Sequence, residues 1–227
     1  LISSKLFFIK FENVSNMSIK LIETYSKKYN FTFDNIKIND LKYLEEVDLL
    51  DYIDKYRGKS IFLVPLKKIV QDINAINWVE NIKVTSNYKN TLYFFVDEEE
   101  PIGVFVNNNQ NILFSKNFVI LEIIKNDIRF SNLIRFYGKN SINHSKILFS
   151  KLDKNFLANI KSASLIGGRR WNLKLRNLII LKLPEDNMEK AIKNYKKIYA
   201  NLSNKELKDI YSIDLRINSQ AIIKYNK

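Results

Sequence analysis

The chain contains no cysteine in its 227 residues. It therefore has no disulfide framework and no thiolate to offer a metal. That composition suits the cytosol and the periplasm equally. Histidine occurs once, at His144, so the sequence holds no His/Cys/carboxylate cluster of the zinc type. A lone histidine on a helical stretch reads as a surface or satisfied residue. Glycine is scarce, at five residues, and none has the spacing of a dinucleotide-binding loop or a P-loop. No nucleophile elbow is present. No catalytic residue, cofactor or metal is therefore assigned, and an enzyme is not expected. Long apolar runs are also missing. The opening stretch LISSKLFFIKF is too short to cross a bilayer and is interrupted by Lys5 and Lys10.

What the chain does have is core-forming material and positive charge. Hydrophobic residues make up 46% of it, ample for a packed interior. The net charge is +13, but lysine, asparagine and isoleucine together supply about two fifths of all residues. The lysines are spread along the whole length rather than gathered on one element. A solvated basic surface is the expected reading, with only weak, salt-sensitive contact to nucleic acid.

Periodicity gives an order of elements. Ile22, Tyr25 and Tyr29 predict a short helix over 16–29. Phe31, Phe33, Ile36 and Ile38 predict a strand. In LEEVDLLDYIDKYRG, Leu49, Tyr52, Ile53 and Tyr56 fall on one helical face, with Glu45, Glu46 and Asp48 in the first turn and Gly58 at the end. A second helix starts at Pro65 and carries Leu66, Ile69, Val70, Ile73 and Ile76 as its buried stripe. Two strands follow. Trp78, Ile82 and Val84 alternate on the first, and Leu92, Phe94 and Val96 on the second, around a turn near Asn87 to Asn90. Strand-helix-helix-strand-strand makes a unit of about 70 residues.

Beyond Pro101 the texture shifts to short strands. IGVFV and NILF flank an asparagine-rich turn, and 142–152 read as a helix. SASLIGG, RRWNLKL and LIILKLP read as strands, with Gly167-Gly168 as a tight connection. A helix opens at Pro184-Glu185-Asp186 and carries Met188, Ala191, Ile192, Tyr195 and Tyr199 on one side. YSIDLRI and QAIIKY, joined at Asn218-Ser219, close the chain as strands. The acidic run Asp97-Glu98-Glu99-Glu100 is not a metal site, because neighbouring carboxylates on a strand point to opposite faces. It is read as a solvated strand end. The fold class is α+β, with a β-α-α-β-β unit followed by a mostly antiparallel β domain with one or two packed helices.

An ordered series of motifs resembles the bacterial cell-division family FtsQ/DivIB, with its POTRA domain. The series comprises IFLVPL at 61–66, Trp78-Val79, Thr91-Leu92, Glu98 with Pro101, GRRWNLKLRNLIILKLPED at 168–186 and IDLR at 213–216. Phe105 stands where the family often has tryptophan. Departures are Asn77 and Lys89 at positions usually held by proline, Ser86 near a usual arginine, and Gly103 in place of alanine.

The resemblance implies a membrane-proximal segment at 1–30, a POTRA domain at 31–100 and an FtsQ-type β domain at 101–227. It implies a single-pass inner-membrane protein with both domains in the periplasm at the division septum, its anchor ahead of Leu1. It further implies a non-catalytic divisome scaffold that binds FtsB- and FtsL-like partners and links to septal peptidoglycan synthesis. Trp78 is expected to pack the end of the second helix against the sheet, with Leu92 across from it. The last strand, about 220–225, has no later strand to cover it and so presents a border for β-augmentation. Partner contact is expected from Arg216, Ile217, Ser219, Ala221, Ile223 and Tyr225. Tyr225 stands where the family uses an aromatic, and Ile217 replaces one. The alternative is a POTRA-containing assembly or secretion factor for outer-membrane proteins.

Overall fold

The computed structural model describes residues 16–107, 110–125, 127–217 and 220–226. It separates into two compact units, Leu1–Glu99 and Glu100–Lys227. The opening stretch LISSKLFFIKF lies outside the described residues.

The first unit opens with helix α1 at 16–28. Strand β1 (Asn35–Ile38) follows, then helices α2 (Glu46–Ile53) and α3 (Leu66–Asn74), and strands β2 (Val79–Ser86) and β3 (Thr91–Glu98). The three strands form one sheet in the order β1-β3-β2, with β1 parallel and β2 antiparallel to β3. The first strand is shorter than the pattern from Phe31 suggests. Phe31 and Phe33 instead pair their backbones with Ile61 and Lys59, beside a bridge between Thr32 and Ser60.

Helix α2 begins at Glu45 with a reciprocal capping box to Asp48. Its inward residues, Leu49 and Ile53, are fully buried. They meet Ile69 and Ile73 of α3, and Ile82, Leu92, Phe94 and Val96 of the sheet, in one core. A bulge between Val79 and Asn81 shifts the alternation of β2. Val79 is therefore buried, while Trp78 is half-buried and stacks on Tyr43, in the loop before α2, at 5.2 Å. This corrects the expected Trp78–Leu92 pairing. Leu92 lies opposite Ser86 on β2 and Ile36 on β1.

The second unit is built on a nine-stranded sheet. Its strands are β4 (Pro101–Asn107), β5 (Gln110–Ser115), β6 (Ile120–Ile124), β7 (Ile134–Tyr137), β8 (Ile160–Ile166), β9 (Arg170–Leu175), β10 (Ile180–Lys182), β11 (Ile210–Asp214) and β12 (Ile222–Tyr225). Their spatial order is β12-β11-β10-β9-β8-β7-β4-β5-β6. Strand pairs β4–β7, β7–β8 and β10–β11 are parallel and the rest antiparallel. Between β8 and β9, Gly167 and Gly168 both take positive φ, which only glycine adopts without strain.

Parallel neighbours need a crossover, and here two of the crossovers are helical. Helices α4 (Ser141–Lys151) and α5 (Lys154–Ala158) link β7 to β8, and α6 (Met188–Asn201) and α7 (Asn204–Asp209) link β10 to β11. The described residues thus hold four α-helices in this unit, two more than the periodicity indicates. Leu148, Leu152 and Phe156 from α4, its C-cap and α5, with Met188, Ile192 and Tyr195 from α6, pack on Phe136, Trp171, Leu173, Leu181 and Ile213 of the sheet.

Candidate functional site

The border strand β12 is set by the core beneath its neighbour. Ile213 of β11 is fully buried and faces Leu181 of parallel β10 on one side and Ile223 of antiparallel β12 on the other. Burial of Ile213 fixes the register of β11, and β11 in turn fixes β12. Ala221 and Ile223 point toward the same core and are half-buried. Ile222 alternates outward and is 57% exposed. The Lys224 ammonium, on that outward side, lies 5.5 Å from the Tyr211 ring. Asn226 ties the end of the strand to Asp209 by a backbone hydrogen bond of 2.7 Å.

Among the described strands, β12 pairs only with β11 and ends the sheet. Its other border carries backbone N–H and C=O groups that no described strand receives. Tyr225 and Ile217 are both well exposed, at 44% and 54%. Arg216 is already engaged. Its guanidinium donates from Nε to Asp214 Oδ1 at 2.8 Å and from NH2 to Oδ2 at 2.5 Å. These bonds hold the Asp214 carboxyl below its ordinary range. Ser219 lies outside the described residues. Five of the six expected positions therefore fall at or beside β12, with Ala221 and Ile223 half-buried against the core and Ile217 and Tyr225 exposed.

A groove of about 370 Å³ runs between α6 and the segment that leads into β12. Lys190, Asn194 and Lys197 form one wall, and Leu215, Gln220 and Ala221 the other. The wall on α6 follows from spacing, since positions i, i+4 and i+7 share a helix face. The sequence reading did not connect it to β12, because nothing local brings α6 beside residue 220.

What the border and groove offer chemically is backbone hydrogen-bonding groups and positive charge. The described residues contain no group of three or more His, Cys, Asp or Glu placed to hold a metal. His144 contacts the Asn140 carbonyl at 3.0 Å and is half-buried. The acidic run is not a solvated strand end as expected. Glu98 binds the N–H groups of Lys42, Tyr43 and Leu44, and Glu99 is buried.

A β-α-α-β-β unit followed along the chain by an edge-bordered mixed sheet defines a two-domain protein of the POTRA class. The family description "POTRA domain, FtsQ-type" matches residues 31–98, and "Cell division protein FtsQ/DivIB, C-terminal" matches 104–216. The chain is 30% identical over 200 residues to Cell division protein FtsQ of Rickettsia conorii, covering 87% of this chain and 73% of that one. It is 21% identical over 199 residues to Cell division protein FtsQ of Rhizobium meliloti, covering 86% and 63%. A solved structure of the major extracytoplasmic domain of DivIB from Geobacillus stearothermophilus overlaps 47% of this chain and 99% of that one. Its identity is 13% and its TM-score 0.36.

The chain belongs to the FtsQ/DivIB family of cell-division proteins. The matched span ends at Arg216, so residues 217–225 lie beyond it. No helix among the described residues is long and apolar enough to cross a membrane.

Proposed function

We propose that the chain is a non-catalytic divisome scaffold at the inner membrane, with both units in the periplasm at the septum. It docks FtsB- and FtsL-like partners and thereby links to septal peptidoglycan synthesis. One observation carries this reading: β12 stands at the end of the nine-stranded sheet and pairs with β11 alone among the described strands. A free border of this kind templates an added strand, in which backbone bonds give affinity and alternate side chains give specificity. Tyr225 and Ile217 stand exposed beside that border. The lysine-walled groove adds a place for acidic residues that flank the added strand. Family membership supports the divisome setting.

Two proline variants test the docking. Successive amides of a strand point to opposite borders. Proline at Ile223 and proline at Lys224 therefore remove one outward donor and one donor of the β11 ladder. The variant that keeps wild-type melting is the outward one, and it should lose capture of the FtsB-like partner in a pull-down. Full capture by that folded variant would exclude strand addition at β12.

A further inference from the structure

Among the described residues, helix α1 of the first unit is anchored through Ser26. Ser26 is buried and its hydroxyl lies 2.7 Å from that of Ser60, while its carbonyl accepts the Phe31 N–H at 2.8 Å. A different face is apolar and uncovered. Met17, Leu21, Tyr25 and Tyr29 recur every fourth residue, at 66%, 50%, 57% and 55% exposure. Within the row, the Tyr25 and Tyr29 rings stack at 6.4 Å with planes 4° apart. Past the helix end, exposed Phe62 packs on Phe31 at 5.7 Å and continues apolar surface there.

Cations flank the row. Lys20, Lys27 and Lys28 are all exposed, and the Lys28 ammonium sits 5.5 Å from the Tyr29 ring. The helix is too short to span a bilayer, since 13 residues reach about 20 Å against a hydrocarbon core of about 30 Å. A second copy is a poor fit, because matching rows would bring these lysines together between chains of net charge +13. A surface that is apolar just below and anionic on top fits all three features. Leucine and methionine enter the acyl boundary, tyrosine rests at headgroup level and lysine meets lipid phosphate.

We propose that α1 is an interfacial helix that lays its Met17–Leu21–Tyr25–Tyr29 row on an anionic phospholipid surface. This orients the first unit against the membrane. It concerns surface contact rather than a spanning segment or the β12 border, so its failure leaves the proposed function standing.

The test is co-sedimentation of the 227-residue chain with phosphatidylcholine vesicles, with and without phosphatidylglycerol. Binding is expected with phosphatidylglycerol, and in Leu21→Ser/Tyr25→Ser it should fall about tenfold. Lys20→Gln/Lys27→Gln/Lys28→Gln should lose the preference for the anionic lipid. Phe7→Ser/Phe8→Ser, ahead of the described residues, should keep most of the binding. The chain has no native thiol, so an environment-sensitive fluorophore on Met17→Cys gives a reading that needs no destabilising change. It should shift to the blue on phosphatidylglycerol vesicles. Unchanged binding by the Leu21/Tyr25 variant overturns the proposal. So does binding that depends on Phe7 and Phe8 alone, an unshifted fluorophore, or a row that dimerises the chain in lipid-free ultracentrifugation.

Discussion

Glu98 Oε1 accepts the backbone N–H of Leu44 at 2.7 Å. The same oxygen takes the Tyr43 N–H at 2.8 Å, and Oε2 takes that of Lys42 at 2.6 Å. One carboxylate at the end of β3 thus closes the loop that leads into α2, and Tyr43 in that loop stacks on Trp78. This accounts physically for a glutamate at the end of the strand. Glu98→Ala leaves three donors to water or to nothing and should cost about 2 kcal/mol of the first unit's stability. Glu98→Gln should recover only part of it, because its amide turns a donor toward an N–H. Thermal unfolding of the two variants reads the difference; wild-type stability in both would mean the loop holds without the carboxylate.

Gly103 of β4 sits beneath two rings. A Cβ there would lie 2.5 Å from Phe114 Cζ and 2.7 Å from Phe136 Cε2. The two rings pack edge-to-face at 5.4 Å and are fully buried, so neither can swing into solvent. Gly103→Ala should therefore cost about 2 kcal/mol through overpacking. Phe114→Leu in the same chain should return much of that loss, giving a coupling term in urea unfolding. Strictly additive losses would show that the clash is relieved elsewhere.

The hairpin turn between β2 and β3 has no proline, and side chains take over. Asn87 Oδ1 accepts the N–H groups of Lys89, Asn90 and Thr91 at 2.9, 3.0 and 2.9 Å. Ser86 Oγ accepts the Tyr88 N–H at 2.8 Å, with Tyr88 at φ +56°. Asn87→Ala should cost about 1 kcal/mol, while Asn87→Asp, which keeps the acceptor, should stay near wild type. Equal melting of Ala and Asp variants would assign the turn to strand pairing alone.

The first unit was legible because its signals are local. Leu49 and Ile53, Ile69 and Ile73, and the alternation of Leu92, Phe94 and Val96 each follow from period alone. The Trp78 register was not, since the bulge at Val79 comes from pairing with β3 across the turn. Strands β6 and β7 were missed. Each is short, and β6 buries Leu121 alone with no sustained alternation, so partner strands rather than sequence define it. The bonds of Glu98 span more than fifty residues and leave no local pattern. At the candidate site, β12 itself was legible, and among the described strands it ends the sheet as expected. The inward turn of Ala221 and Ile223 depends on Ile213 and was not.

Burial pushes the Tyr195 hydroxyl up to about 12. The nearby Tyr199 adds to the rise, and a hydrogen bond with the Asn177 side chain opposes it. Tyr195 lies on α6, edge-on to Phe156 at 6.1 Å and 6% exposed. A phenol in an unfolded chain ionises near about 10. The folded state therefore favours the neutral form. The stability this confers is fully present below about pH 10 and is lost as pH rises toward about 12. In a spectrophotometric titration one phenol should ionise late, together with alkaline unfolding. Tyr195→Phe should remove that late phase and flatten the loss of stability between about pH 10 and 12. At pH 7 it should change stability by about 1 kcal/mol or less, because only the bond to Asn177 is lost. An alkaline transition in the phenylalanine variant identical to wild type would assign that unfolding to other groups, the lysines foremost.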